Sequence, residues 1–195
     1  MNHAQSLSFI ESYAKEAADV TASLASQTEE IAAIADALFE VAKNGGRIYT
    51  FGNGGSACDA MHFAEELVAR YLRERPGIRS QHLIDSGTMT CWANDYDFST
   101  IFSRQVQTLV EPRDAVVGFT TSGNSPNIIL AIEESIAIGA TSIALTGKDG
   151  GKIKEIAPLS LIVKSTITSH IQQAHMAIVH ILCDLLEQRL FPSAR

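Results

Sequence analysis

The rhythm of apolar positions changes once along the chain. Over residues 4–43 they recur at helical spacing, as at Leu24, Ile31, Ile34, Leu38 and Val41, and the segment KNGG supplies a stop. After that, short apolar runs alternate with amphipathic stretches. The runs predict strands at 47–51, 81–84, 115–119, 142–145 and 160–163. Between them the pattern predicts helices near 57–73, 98–110, 126–138 and 150–156, and a long final helix over about 169–190. Short apolar strands separated by helices imply a five-stranded parallel sheet covered on both faces, an αβα sandwich preceded by N-terminal helices. About forty helical residues before the first strand exceed what one sheet face needs, which points to a helical subunit interface.

Bulk composition narrows the class. The chain has 195 residues, 46% hydrophobic and 19% charged, enough for one domain with a sizeable core. No apolar run approaches the ~18 residues that span a bilayer, and the N-terminus, with its early acids, does not read as a signal peptide. The formal charge is −7, and the densest basic stretch, RYLRERPGIR, reads as a solvated helix end and turn. An acidic chain is a poor candidate for nucleic-acid binding driven by backbone phosphates. The three cysteines, Cys58, Cys91 and Cys183, have no metal-type spacing. They read as buried thiols of a reduced cytoplasmic protein.

Ligands of open parallel sheets bind beyond the C-terminal ends of the strands, and two loops there are chemically rich. The first is FGNGGSACDA, residues 51–60. It has neither the spacing nor the lysine of a P-loop, G-x-x-x-x-G-K-S/T. Gly52-x-Gly54-x-x-Ala57 satisfies a dinucleotide fingerprint, but Asp85 lies too far along to be its ribose-binding acid. The other readings are a small phosphorylated ligand, held by helix N-terminal N–H groups and Ser56, and a tight turn needing glycine. The second loop, FTTSGNSPN, sets Thr120, Thr121, Ser122, Asn124 and Ser125 around Gly123. Ser125 is expected to cap the helix that opens at Pro126. Capping explains one or two of these residues; a sugar phosphate would use all of them.

His62 and Glu66 are four apart and share one helix face. In the final helix, Gln172 and His180 are roughly 80° out of alignment. The four could form a metal site of N and O ligands, which zinc accepts. On sequence alone, however, His62 and Glu66 also read as a surface pair, and His180 as a core histidine.

With these motifs in view, the chain resembles the sugar isomerase (SIS) superfamily, and within it the phosphoheptose isomerases. The likeness runs from the N-terminal helices to IVHILCDLLE and rests on GNGGSACDAMHFAEEL, ANDYDF, FSRQV, TTSGNSPN, LTGKDGG and IQQAHMAIVH. It implies a flavodoxin-like SIS domain over residues 1–195, with an oligomerisation segment at 1–44 and the αβα core at 45–192. It also implies a cytoplasmic homotetramer with active sites between subunits. The activity implied is conversion of sedoheptulose 7-phosphate to glycero-manno-heptose 7-phosphate through an enediol, for bacterial surface glycans. Substrate contacts then fall on Asn53, Gly54, Gly55, Ser56, Glu66, Asn94, Asp95, Thr120, Thr121, Ser122, Ser125 and Gln172. Zinc ligands fall on His62, Glu66, Gln172 and His180, and the acid–base pair on Glu66 and His180. Neither nucleic acid nor membrane is an expected partner. The chain departs from the usual family pattern at His170 and Gln173, where arginine and glutamate are common. The alternative is a non-catalytic SIS protein, either sensing a sugar phosphate or binding a replication initiator. The initiator-binding branch lacks the equivalents of Glu66, Ser122 and His180.

Overall fold

The computed structural model describes residues 1–193. Five parallel strands lie in the order β2-β1-β3-β4-β5, with β1 Ile48–Gly52, β2 Ser80–His82, β3 Ala115–Phe119, β4 Thr141–Gly147 and β5 Leu159–Val163. Residues alternate between two cores, as the period-2 pleat requires. Ile48, Val117, Ile143 and Leu161 pack with α2 (Thr28–Lys43), α3 (Gly55–Val68) and α7 (Thr168–Leu190). Tyr49, Phe51, Val116 and Ala144 pack with α5 (Ile101–Leu109) and α6 (Pro126–Ile138) on the other face. This is the expected sandwich. Its chain reverses direction across the sheet between β1 and β3, and the crevice at such a switch point is where ligands of this topology bind.

Several local expectations change. The helical stretch at 4–43 is two helices, α1 (His3–Ala22) and α2, broken by a 3₁₀ turn at Ser23–Ser26. There Ser23 and Ser26 turn their hydroxyls onto the carbonyls of Val20 and Ser23 and compete with the α-helical ladder. The helix begun at Gly55 stops at Val68, not at 73. An unexpected helix, α4, spans Ser86–Asp95, started by the Asp85 carboxylate accepting from the Thr88 N–H at 2.7 Å. The segment near 150–156 is only a 3₁₀ turn, Lys152–Glu155.

RYLRERPG is not simply a solvated turn. Arg75 and Glu187 form a fully buried ion pair at 2.9 Å, which no reading of the 70–79 segment alone could reveal. Of the thiols only Cys183 is buried; Cys58 and Cys91 are exposed because they lie on the outward faces of α3 and α4. Burial, reinforced by the carboxylates of Glu66 and Glu187, pushes the Cys183 thiol well above its ordinary range. No helix among the described residues is long and apolar enough to cross a membrane.

Candidate active site

The two loops meet at the β1/β3 switch point. Asn53 and Asn127 face each other amide to amide, Asn53 Nδ2 donating at 2.8 Å and Asn127 Nδ2 at 2.9 Å. This reciprocal pair ties the turn after β1 to the first turn of α6. Gly54 supports that turn with φ 57, a left-handed conformation that favours glycine. Gly123 has φ 65, and an added Cβ there would overlap the Gly150 carbonyl. The 148–151 turn therefore packs directly beneath the second loop. The 3₁₀ turn that follows holds the loop through Ile153 N–H to Gly123 O at 3.0 Å and Lys152 N–H to Asn124 Oδ1 at 3.1 Å.

Between the loops lies a cleft of about 270 Å³, lined by Asn53, Gly55, Ser56, Thr120, Thr121, Ser122, Ser125, Thr168 and Gln172, with Phe119 at its base. That is at the small end of ligand sites, the scale of a sugar phosphate rather than a dinucleotide. Thr120 Oγ1 accepts the Gly123 N–H and Ser122 Oγ accepts the Asn124 N–H, each at 3.2 Å. A hydroxyl whose lone pair is so occupied still has its O–H to donate. Ser125 stands at the N-cap of α6 but makes no side-chain cap bond. The expected cap bond is thus not made, Ser125 is among the residues that line the cleft, and the helix N-terminus adds its dipole to that side.

The second centre lies where α3 meets α7. His62 Nε2 is 3.2 Å from Glu66 Oε1 and 3.2 Å from His180 Nε2. His62 and Glu66 are neither a free surface pair nor core, with side chains 35% and 15% exposed. His180 is half-buried rather than a core histidine. The ligating atoms of the three residues lie within 4.8 Å of one another. Donors bound tetrahedrally at zinc's ~2.0–2.1 Å stand about 3.3 Å apart, so this spacing fits a metal ion. Glu65 Oε2 lies 3.4 Å from the other ring nitrogen of His62, the place of an outer-shell carboxylate.

The remaining predicted residues divide. Gln172 lines the cleft, its amide against Gly55. Gly54 shapes the turn above it. Asn94 and Asp95, on the last turn of α4, are exposed, bond to each other at 2.8 Å, and do not line the cleft. His170 is 1% exposed and packs edge-on against Tyr13 of α1, with ring centroids 4.5 Å apart. It therefore belongs to the α1–α7 contact. Four contributors escaped the sequence reading: Asn127, Thr168, Glu65 and Tyr71, whose ring stacks on His180. Only Glu65 carried a signal, as a second carboxylate beside Glu66 one turn from His62.

Comparison with known proteins decides the family. The SIS domain model matches residues 12–147. The phosphoheptose isomerase of Trichlorobacter lovleyi is 49% identical over 165 residues, covering 84% of each chain. The chain belongs to the phosphoheptose isomerase family of SIS-domain proteins. Within that family, the enzyme of Aquifex aeolicus is 43% identical over 183 residues, covering 93% of this chain and 88% of its own. The solved phosphoheptose isomerase of Francisella tularensis superposes with a TM-score of 0.90 at 36% identity, covering 94% of this chain and 98% of that one. The Neisseria gonorrhoeae structure gives 0.88 at 32%, covering 93% and 98%. The family fold thus extends beyond the matched SIS segment to β5 and α7.

Proposed function

We propose that this phosphoheptose isomerase family member converts sedoheptulose 7-phosphate to glycero-manno-heptose 7-phosphate, supplying heptose for bacterial surface glycans. One observation carries the reading: Glu66 and His180, from two helices far apart in sequence, converge on His62 Nε2, and the same two helices bring Ser56 and Gln172 to the hydroxyl-lined cleft. The cleft would take the phosphate through Ser56, Thr120, Thr121, Ser122 and Ser125 and the N-termini of α3 and α6. Asn53, Gly54, Gly55 and Gln172 would bind the sugar chain.

The reaction moves one proton between C1 and C2. A base removes a C1 proton while an acid protonates the C2 carbonyl oxygen, giving the enediol; a proton returned to C2 and one lost from the C1 hydroxyl complete the aldose. Glu66 and His180 would divide this work. His62, Glu66, Gln172 and His180 would hold a zinc ion, with Glu65 orienting His62. The ion, when bound, supplies positive charge toward the substrate's carbonyl oxygen. A carboxylate has two oxygens, so binding metal through one leaves the other for a proton.

The whole chain is one SIS unit of the cytoplasm, with 1–44 its oligomerisation segment. None of the twenty residues of α1 is buried, and Leu7, Phe9 and Ile10 are at least half exposed. Such exposure suits a subunit contact, which the proposed homotetramer would provide. Asn94 and Asp95, outside their own chain's cleft, would serve the site of a neighbouring copy.

Solvent-deuterium incorporation into sedoheptulose 7-phosphate, followed by NMR with and without zinc, tests the reaction. Wild type should exchange and produce an aldose signal. Glu66→Gln and His180→Gln should each lose about 10²–10⁴-fold in rate. Wild type that binds the sugar phosphate tightly yet never exchanges would instead favour a non-catalytic sensor.

A further inference from the structure

Residues 69–77 leave α3 and double back toward β2 without regular structure. Two fully buried side chains fix this segment. Glu187, near the end of α7, accepts from the backbone N–H of Tyr71 at 2.8 Å, Leu72 at 3.0 Å and Arg73 at 2.9 Å, and from Arg75 Nε at 2.9 Å. The guanidinium of Arg75 then donates to the last carbonyls of α3, Leu67 O at 2.7 Å and Glu66 O at 2.8 Å.

This clamp joins the two helices that carry the His–Glu–His cluster. Its guanidinium caps α3 on Glu66 itself. On α7, Glu187 follows His180 by two turns, about 10.5 Å in rise and about 20° in angle, so both project from the same face. A hydrophobic pair of similar volume could stabilise the fold as well or better. It could not cap α3 or orient three successive N–H groups.

One of those N–H groups belongs to Tyr71. Its ring lies on the imidazole of His180, with centroids 5.4 Å apart and planes 19° apart. His62 meets the same imidazole edge-on, at 5.4 Å and 76°. Rotation of an imidazole about its Cβ–Cγ bond has broad minima, so packing must set the ring plane. Tyr71 supplies the flat wall, and the clamp keeps the wall in place.

We propose that Tyr71, pinned by the buried Arg75–Glu187 clamp, is a positioning residue that holds the His180 ring toward His62 and Glu66. Its kinetic consequence rests on the isomerase reading; its structural consequence does not.

Three variants test it: Tyr71→Leu, which removes the flat ring, Tyr71→Phe, which keeps it, and Glu187→Gln. Each would be assayed for kcat and KM with sedoheptulose 7-phosphate and for affinity toward zinc ion alone by chelator competition. The His180 ring resonances would be followed in 13C-histidine-labelled protein, assigned by their loss in His180→Gln. Tyr71→Leu should lose about 10–100-fold in kcat and in zinc affinity, the range for outer-shell partners of metal ligands. KM should stay within about twofold, since phosphate binding is untouched. The His180 resonances should move as the ring current is lost, and Tyr71→Phe should restore all three readouts. Glu187→Gln, once shown to be folded by circular dichroism, should shift His180 as Tyr71→Leu does.

Tyr71→Leu with every readout unchanged overturns the proposal. So do equal losses in Phe and Leu variants, which would assign the effect to the hydroxyl. A folded Glu187→Gln with unmoved His180 resonances removes the clamp from the device. If wild type fails to isomerise the sugar while zinc affinity and His180 resonances still follow the Tyr71 series, the isomerase reading falls and the positioning role stands.

Discussion

Asp59 and His175 are buried side chains that titrate against the fold in opposite directions. Burial raises the Asp59 carboxyl to about 7, and its Oδ2 has no hydrogen-bond partner. Burial lowers the His175 imidazole to about 4, against a smaller upward pull from its bond to the Thr146 carbonyl. Asp59 keeps its proton in the folded state, so the stability this gives is full below the ordinary carboxylate value of about 3.8 and lost as pH rises through 7. His175 is buried neutral, so its contribution is full above the ordinary 6.5 and lost as pH falls toward 4. Asp59→Asn should therefore raise the melting temperature at pH 8 by about 2–4 °C, for a gain on the order of 1 kcal/mol, and give no gain at pH 4. Melting curves across pH would check this; an equal shift at both pH values would contradict the burial account. In the cleft, Ser122→Ala removes one O–H donor and the acceptor for Asn124 N–H. A roughly tenfold rise in KM for the sugar phosphate, with kcat changed less, is the expected steady-state result. The residue types of the cleft were legible in the sequence because hydroxyls and glycines beside Pro126 have few other uses. The ambiguity of His62 and His180 was not resolvable there, since a histidine's role depends on what faces it.

Helices α3 and α7 carry the His62, Glu66 and His180 cluster and are fastened at one end by Arg75 and Glu187. Removing one partner leaves the other charge buried and unmatched. Glu187→Ala should cost about 3–5 kcal/mol, read by urea unfolding. The double variant Arg75→Met, Glu187→Leu should recover part of that stability, because the uncompensated charge is gone while the N–H groups of residues 71–73 stay without their acceptor. It should not recover turnover, because the cap on α3 and the anchor for Tyr71 are gone too. At this scale the strands and long helices followed from periodicity, with ends displaced by a few residues. Helix α4 did not, because its SGTMTCWAND sequence buries no residue fully and packs only Met89, Trp92 and Ala93 partly against the core. A weakly amphipathic helix made by an Asp85 cap leaves little hydrophobic pattern to read.

The proposed assembly would set the scale at which the site is complete. If Asn94 and Asp95 serve a neighbour's cleft, chains carrying Asn94→Ala and Asp95→Ala and chains carrying Glu66→Gln should each be inactive alone. Co-expressed, they should regain a measurable share of wild-type turnover through mixed sites. Light scattering should give about four times the 21.0 kDa chain mass. Lack of complementation in verified mixed oligomers would place all contacts within one chain. The order of apolar runs along the chain by itself determined a parallel sheet covered on both faces, and the two Gly/Ser/Thr-rich segments pointed to its strand ends as the place for a phosphorylated ligand. Both are local properties: period, turn chemistry and helix N-termini need only neighbours in sequence. Tertiary structure alone decided that β1 and β3 are adjacent, that Glu66 and His180 converge on one imidazole nitrogen, and that an arginine in a polar turn is buried against Glu187. Those facts join residues 67 to 118 positions apart, and contacts at that separation are made only when burial of the shared core brings the elements together.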